Sequence, residues 1–256
     1  MFRPCIDLHE RKVKQIVGGT LGSETNGLRT NFVSDRSASW YSELYKRDGL
    51  RGGHVVLLGP GNDEEAASAL RAYPGGLQVG GGVTAQNARS WLDLGASHVI
   101  VTSWVFREGR VDRARLAEIV GLIGKERLVL DLSCRRRGAD YVVVTDRWQK
   151  FTDVTLNQKN LETFANSCAE FLIHAVDVEG LCRGIDQELV SKLAEWSPIP
   201  TTYAGGAKSL ADLEEVTSRG RGRIDLTIGS ALDIFGGHGV KYEELVAFNR
   251  KLAQTA

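Results

Sequence analysis

Residues 77–83 read Leu77-Gln78-Val79-Gly80-Gly81-Gly82-Val83, and residues 201–207 read Thr201-Thr202-Tyr203-Ala204-Gly205-Gly206-Ala207. Each is a short strand-like run that ends in a glycine turn. A helix-patterned stretch follows each, Thr84–Leu94 after the first and Ser209–Ser218 after the second. Strand, glycine turn and helix make one βα unit. Six more such runs stand along the chain: Phe2–Leu8, His54–Leu58, His98–Thr102, Leu128–Leu132, Phe171–Val176 and Asp225–Ile228. With Leu77–Gly80 and Ile199–Tyr203 they total eight. The runs are continuously apolar rather than alternating, as parallel strands buried on both faces are. Eight βα units in 256 residues predict an α/β chain folded as a single (β/α)8 TIM barrel, in preference to an open doubly wound sheet.

The two glycine turns also belong to an internal echo. Gly81 and Gly205 are 124 residues apart, and so are Asp7 and Asp131, at the ends of runs one and five. Ser103 and Ser230, after runs four and eight, are 127 apart. Three pairs at nearly one offset predict a half-barrel internal duplication, with halves near 1–125 and 126–256 in one domain of 1–256. Two segments exceed a tight βα turn, His9–Arg36 and Ser133–Asn157, the second with a small strand at Val142–Val144. In a barrel both follow strands and sit on the catalytic face, where long loops act as lids or binding loops.

Composition narrows the partners. Lys+Arg and Asp+Glu both number 32, so the formal charge is zero. Such balance argues against nucleic acid or a membrane surface as partner. No run of apolar residues is long enough to span a bilayer, and the opening MFRPCIDLHERK lacks the apolar stretch of a signal peptide. Cys5, Cys134, Cys168 and Cys182 show no CxxC spacing, so neither a disulfide framework nor a metal site is expected, and a reducing cytoplasm is.

The echo carries the functional reading. Glycines let backbone N–H groups approach a phosphate closely, and a following helix adds its dipole. Gly81, Gly82 and Ser103, with Thr102 beside them, form one expected cradle. Gly205, Gly206, Gly229 and Ser230 form the other. Two cradles imply a small-molecule substrate with two phosphates across the barrel mouth. Asp7 and Asp131 close apolar strands that face each other across the barrel. Burial there raises a carboxyl pKa toward neutrality, which suits an acid–base pair.

The segments RPCIDL, GLQVGGGV, LVLDLSCR, FLIHAVDVEGLCRGID, YAGGAKSLADL and DLTIGSALDIFGG run over nearly the whole chain. In them the sequence resembles the eukaryotic branch of the histidine-pathway isomerases, phosphoribosylformimino-aminoimidazole carboxamide ribotide isomerases. The resemblance implies a half-duplicated (β/α)8 barrel and an Amadori rearrangement of an aminoaldose to an aminoketose, without cofactor or metal. The chain is expected to act as a monomer. It implies that Asp7 is the base at C2 and that Trp148 packs on the substrate. It leaves the acid open: the bacterial pattern puts Ser133 where the second aspartate stands, while the echo favours Asp131, two residues away on the same strand face. His174 falls near a family threonine, and Glu179, beside Gly180, near a family aspartate. Thr84 stands where an arginine often follows the glycine turn. The sister cyclase of imidazole glycerol phosphate synthase and a phosphoribosyl anthranilate isomerase or dual-specific barrel are the competing readings, with a non-catalytic phosphate-binding barrel behind them.

Overall fold

The computed structural model describes residues 1–20 and 28–255. Leu21–Gly27, within the first long segment, lies outside the described residues. Eight parallel strands form the barrel: β1 (Phe2–Arg3 and Cys5–His9, parted at Pro4), β2 (Gly53–Leu57), β3 (Leu77–Gly80), β4 (Val99–Val101), β5 (Leu128–Asp131), β6 (Glu170–His174), β7 (Thr201–Ala204) and β8 (Ile224–Thr227). Cys5–His9 pairs with β2, whereas Phe2–Arg3 pairs with β8, so the two pieces of β1 close the sheet on itself. Proline fits this junction because it has no N–H to give to a ladder.

The helices are α1 (Ala38–Arg47), α2 (Asp63–Ala72), α3 (Ala88–Asp93), α4 (Arg113–Ile123), α5 (Gln158–Ala165), α6 (Gln187–Trp196), α7 (Leu210–Arg219) and α8 (Tyr242–Thr255). Their starts follow sequence signals. Ser37, Asp112, Asn157 and Asp186 each accept a backbone N–H at a helix entry, which satisfies donors the first turn leaves free. Expected and observed boundaries differ most at α3. The pattern predicts a helix from Thr84, but Thr84 donates its N–H to Asn87 Oδ1 at 2.8 Å. A turn therefore takes up the first residues. Strand β4 is shorter than His98–Thr102, and β7 begins and ends later than Ile199–Tyr203.

Most of the apolar core lies between the sheet and the helices. Inside the barrel a second, small cluster holds Ile100, Val129 and Leu172 on β4, β5 and β6. The lower interior is polar. Glu170 accepts from Gln78 Nε2 at 2.9 Å and from Thr202 Oγ1 at 2.7 Å. Burial alone would penalise that carboxyl, and paired donors offset the cost.

Both long segments are built as antiparallel flaps. In the first, Lys12–Ile16 turns back on β1 and pairs with Thr30–Val33. In the second, Cys134–Arg137, Asp140–Thr145 and Lys150–Thr155 form a three-stranded sheet, so the expected short strand at Val142–Val144 is the middle of a larger one.

Candidate functional site

Two cavities meet at the C-terminal ends of the strands. The larger, about 760 Å³, is bordered by Asp7, Gly81, Gly82, Thr102, Ser103, Asp131, Trp148, His174 and Glu179. The smaller, about 20 Å³, is bordered by Asp7, His174, Glu179, Gly180, Gly205, Gly206, Gly229 and Ser230. The two expected cradles thus open on different cavities, and Asp7, His174 and Glu179 border both. Ser133 borders neither; it is fully buried beneath Asp131.

The glycines are there for backbone reasons. Gly81 has φ +94°, and a Cβ on it would lie 2.1 Å from Leu57 O. Gly205 has φ +127°, and a Cβ there would lie 2.9 Å from Ala175 O. An L side chain is excluded from both on conformation and on space.

Asp7 closes β1. Its Oδ2 accepts from Gln15 Nε2 at 3.3 Å. Burial pushes its pKa up to about 7, and the Gln15 hydrogen bond moderates the rise. Glu179, in the loop after β6, is pushed further, to about 8, by burial and then by the negative charge of Asp7. Two carboxyls that share a dry site cannot both ionise easily, so one keeps its proton near neutrality.

Asp131 has a different setting. Its Oδ1 accepts from Ser133 N at 2.8 Å and from Ser133 Oγ, and its Oδ2 accepts from Thr102 Oγ1 at 3.0 Å. Burial raises its pKa, while these three donors work against the rise. Ser133 Oγ also lies 3.1 Å from His174 Nδ1 and accepts from His174 N at 3.2 Å. Burial lowers the His174 pKa to about 4. Its ring is flanked by Trp148, with centroids 5.3 Å apart, and by His54 at 5.9 Å, edge to face.

The flaps roof the site. Asp146 N donates to Ser103 Oγ at 2.9 Å, which ties the second flap to the first cradle. Asp146, Arg147 and Trp148 have φ of 52°, 59° and 64°. Three successive side-chain-bearing residues in the left-handed region cost about 1–2 kcal/mol each. They turn Arg147 and Trp148 onto the larger cavity. Gly18 of the first flap donates its N–H to Glu179 O at 3.2 Å, and a Cβ on it would lie 2.8 Å from both Glu179 and Trp148. Asn31 Nδ2 reaches Gly180 O at 2.9 Å and Ser230 Oγ at 3.0 Å.

Sequence reasoning missed Gln15, His54 and Arg147. Gln15 is a buried polar residue between apolar Val13 and Ile16, a signal that the strand edge faces something polar. Arg147 is the sole Lys or Arg among the described residues that border either cavity. Among the described residues no cluster of His, Cys, Asp and Glu is placed to hold a metal ion, and no helix is long and apolar enough to cross a membrane.

A family model described as "Histidine biosynthesis protein" matches residues 1–238. The chain is 55% identical over 256 residues to a chloroplastic protein of Medicago truncatula, across 98% of this chain and 82% of that one. That protein is named 1-(5-phosphoribosyl)-5-((5-phosphoribosylamino)methylideneamino) imidazole-4-carboxamide isomerase. Similarity to isomerases of the same name reaches 51% identity over 253 residues in Neurospora crassa and 49% over 257 residues in Saccharomyces cerevisiae, each across 98% of both chains.

Proposed function

The chain belongs to the histidine biosynthesis protein family, and on that footing we propose that Glu179 and Asp7 are the acid and base of its aldose–ketose isomerisation. It is an isomerase of histidine biosynthesis. Its substrate carries two phosphoribosyl groups, as the relatives' name says of theirs. One phosphate sits in the cradle of Gly81, Gly82 and Ser103, with Arg147 beside it, and the other in that of Gly205, Gly206, Gly229 and Ser230. The half-barrel duplication read from the sequence accounts for having two such cradles.

The observation that carries this reading is that Asp7 and Glu179 border both cavities. A ligand that reaches from one cradle to the other passes between them. Glu179 donates its proton to the furanose ring oxygen. The C1 nitrogen lone pair then forms the Schiff base as the C1–O bond breaks. Asp7 removes the proton from C2, which gives an enolamine. Asp7 returns that proton to C1, the enol hydroxyl proton leaves to restore Glu179, and C2 becomes the ketone. Atoms and charge are conserved, and both carboxyls end as they began. Trp148 packs over the substrate face next to His174; its ring suits stacking on an imidazole.

Asp131 was the acid expected from the internal echo. We assign the acid role to Glu179 instead. Three donors hold Asp131 as an acceptor, whereas Glu179 keeps a proton near neutrality for a physical reason. The four cysteines are free, which supports a reducing compartment, and we place the protein in the cytoplasm.

The test is turnover. Purified protein is given the aminoaldose without ammonia, and the ketose is followed spectrophotometrically. Formation of the ketose is the expected result. Product only when ammonia is supplied, or turnover of phosphoribosyl anthranilate alone, would sink the proposal.

A further inference from the structure

The first flap carries a β-bulge, and the bulged residue touches two loops of the site at once. Gln15 and Ile16 are adjacent on one strand of the flap, but their partners on the other are Phe32 and Thr30, with Asn31 the extra residue between them. A bulge re-aims one side chain out of the ladder and is common beside active sites. Regular contacts resume on either side of it: Lys14 faces Val33, and Val17 N donates to Arg29 O at 2.9 Å. Phe32 packs on Phe235, with ring centroids 6.1 Å apart, which seats the bulge over the loop after β8. The Asn31 amide is thereby aimed at Gly180, next to Glu179, and at Ser230 of the second cradle.

The hydrogens decide what this contact does. The amide carries two, both on Nδ2. One goes to the Gly180 carbonyl at 2.9 Å. A carbonyl only accepts, so Gly180 settles which end of the amide points inward. The other hydrogen goes to Ser230 Oγ at 3.0 Å. Ser230 accepts in that contact and keeps its own hydrogen to give. Its hydroxyl borders the smaller cavity, where a phosphate oxygen is an acceptor in need of such a donor. The first cradle is built in the same sense. Ser103 Oγ accepts from Asp146 N of the second flap at 2.9 Å, and so keeps its hydrogen too. Each serine of the internal echo is met by an N–H from a different flap.

We propose that Asn31 is a positioning residue for the second phosphate: it turns the Ser230 hydroxyl into a donor toward the cradle and ties the cradle's rim to the loop after β6. This rests on the two-phosphate reading above and deepens it. In Asn31→Ala the hydroxyl is free to rotate, and its bond to phosphate weakens. In Asn31→Asp the new carboxylate accepts the Ser230 hydrogen and sets a negative charge beside the phosphate. Aspartate should therefore be the worse of the two, although it is the closer in shape.

Inorganic phosphate, titrated into the whole chain and followed by amide NMR, tests this without turnover. Gly205 and Gly206 report the second cradle, and Gly81 and Gly82 the first. Asn31→Ala is expected to weaken phosphate at the second cradle about fivefold, and Asn31→Asp about tenfold or more. The first cradle should stay within about twofold of the wild type in both variants, which also shows that they are folded. Unchanged binding at Gly205 and Gly206, or an equal loss at the two cradles, would overturn the proposal. In a Ser230→Ala background Asn31→Ala should add less than about twofold; an undiminished loss there would mean that Asn31 does not act through the serine. With the aminoaldose, Asn31→Ala should raise KM while kcat changes little, and a fall in kcat at constant KM counts against the assignment. Wild-type protein whose Gly205 and Gly206 signals ignored phosphate would sink the two-phosphate reading and this role with it. Wild-type binding that both Asn31 variants left intact would sink the role of Asn31 alone, so the two failures are distinguishable.

Discussion

Gln15 donates from Nε2 to Asp7 Oδ2 at 3.3 Å, and the oxygen of the same amide occupies the space that a Cβ at Gly229 would need, 2.1 Å away. One side chain thus links the base to the second cradle. Gln15→Leu removes the donor that favours the Asp7 carboxylate. A net hydrogen bond is worth about 0.5–1.5 kcal/mol, so the Asp7 pKa should rise by roughly half a unit to one unit. The acid limb of kcat/KM against pH should move up accordingly. An unmoved limb would show that Gln15 does not tune the base.

The pH profile itself follows from the two carboxyls. Asp7 must be ionised and Glu179 protonated. With pKa values of about 7 and about 8, kcat/KM should rise through the first, peak between them and fall through the second. Glu179→Gln should lower kcat about 10²–10⁴-fold and remove the alkaline limb. An alkaline limb that survives in Glu179→Gln but vanishes in Asp131→Asn would return the acid role to Asp131.

The same shifts act on stability. In the unfolded chain Asp7 ionises near its ordinary value of 3.8; in the folded protein it does so only at about 7. Between these values the folded state binds more protons, so stability falls as pH rises through that window. Glu179 extends the window to about 8. Asp7→Asn and Glu179→Gln should therefore melt several degrees above the wild type at pH 8.5, with the advantage shrinking toward pH 4. Thermal melts at the two pH values check this, and an advantage equal at both would refute the linkage.

The two glycine turns should not tolerate a methyl group equally. At Gly81 a Cβ meets the Leu57 carbonyl; at Gly82, φ +76°, it meets nothing within 4 Å. Gly82→Ala should cost about 1–2 kcal/mol, the left-handed backbone penalty alone. Gly81→Ala should cost more and also weaken substrate binding, because β2 and β3 must part. Chemical denaturation and KM measured together check the order.

Among the described residues Arg147 is the one cation that borders the larger cavity. Arg147→Ala should raise KM about tenfold while kcat changes little, since the contact is with a phosphate remote from the reacting carbons. The effect should shrink as salt is added. A loss in kcat alone would remove Arg147 from the phosphate cradle.

Much of this was legible beforehand. The barrel was, because buried parallel strands leave continuous apolar runs and each is punctuated by its turn. The place of Asp7 and the glycine pairs beside the cavities was, because each follows from its position near the end of a barrel strand. The tie from Asp131 through Ser133 to His174 was not. It joins residues 41 positions apart across two strands, and only barrel closure brings them together. Arg147 was hidden for another reason: it reaches the cavity through a left-handed backbone that no local propensity favours. The raised pKa of Glu179 was not legible, since it depends on burial and on Asp7, neither of which is local in sequence.

The interruption of β1 at Pro4 has a consequence for biosynthesis. Phe2–Arg3 can pair only with β8, more than 220 residues later in the chain. On the ribosome β1 therefore emerges long before its second neighbour exists. The Phe2–Arg3 piece waits with an open edge for most of translation, a state prone to pairing with other chains. That edge is covered only when the last strand of the barrel has been made.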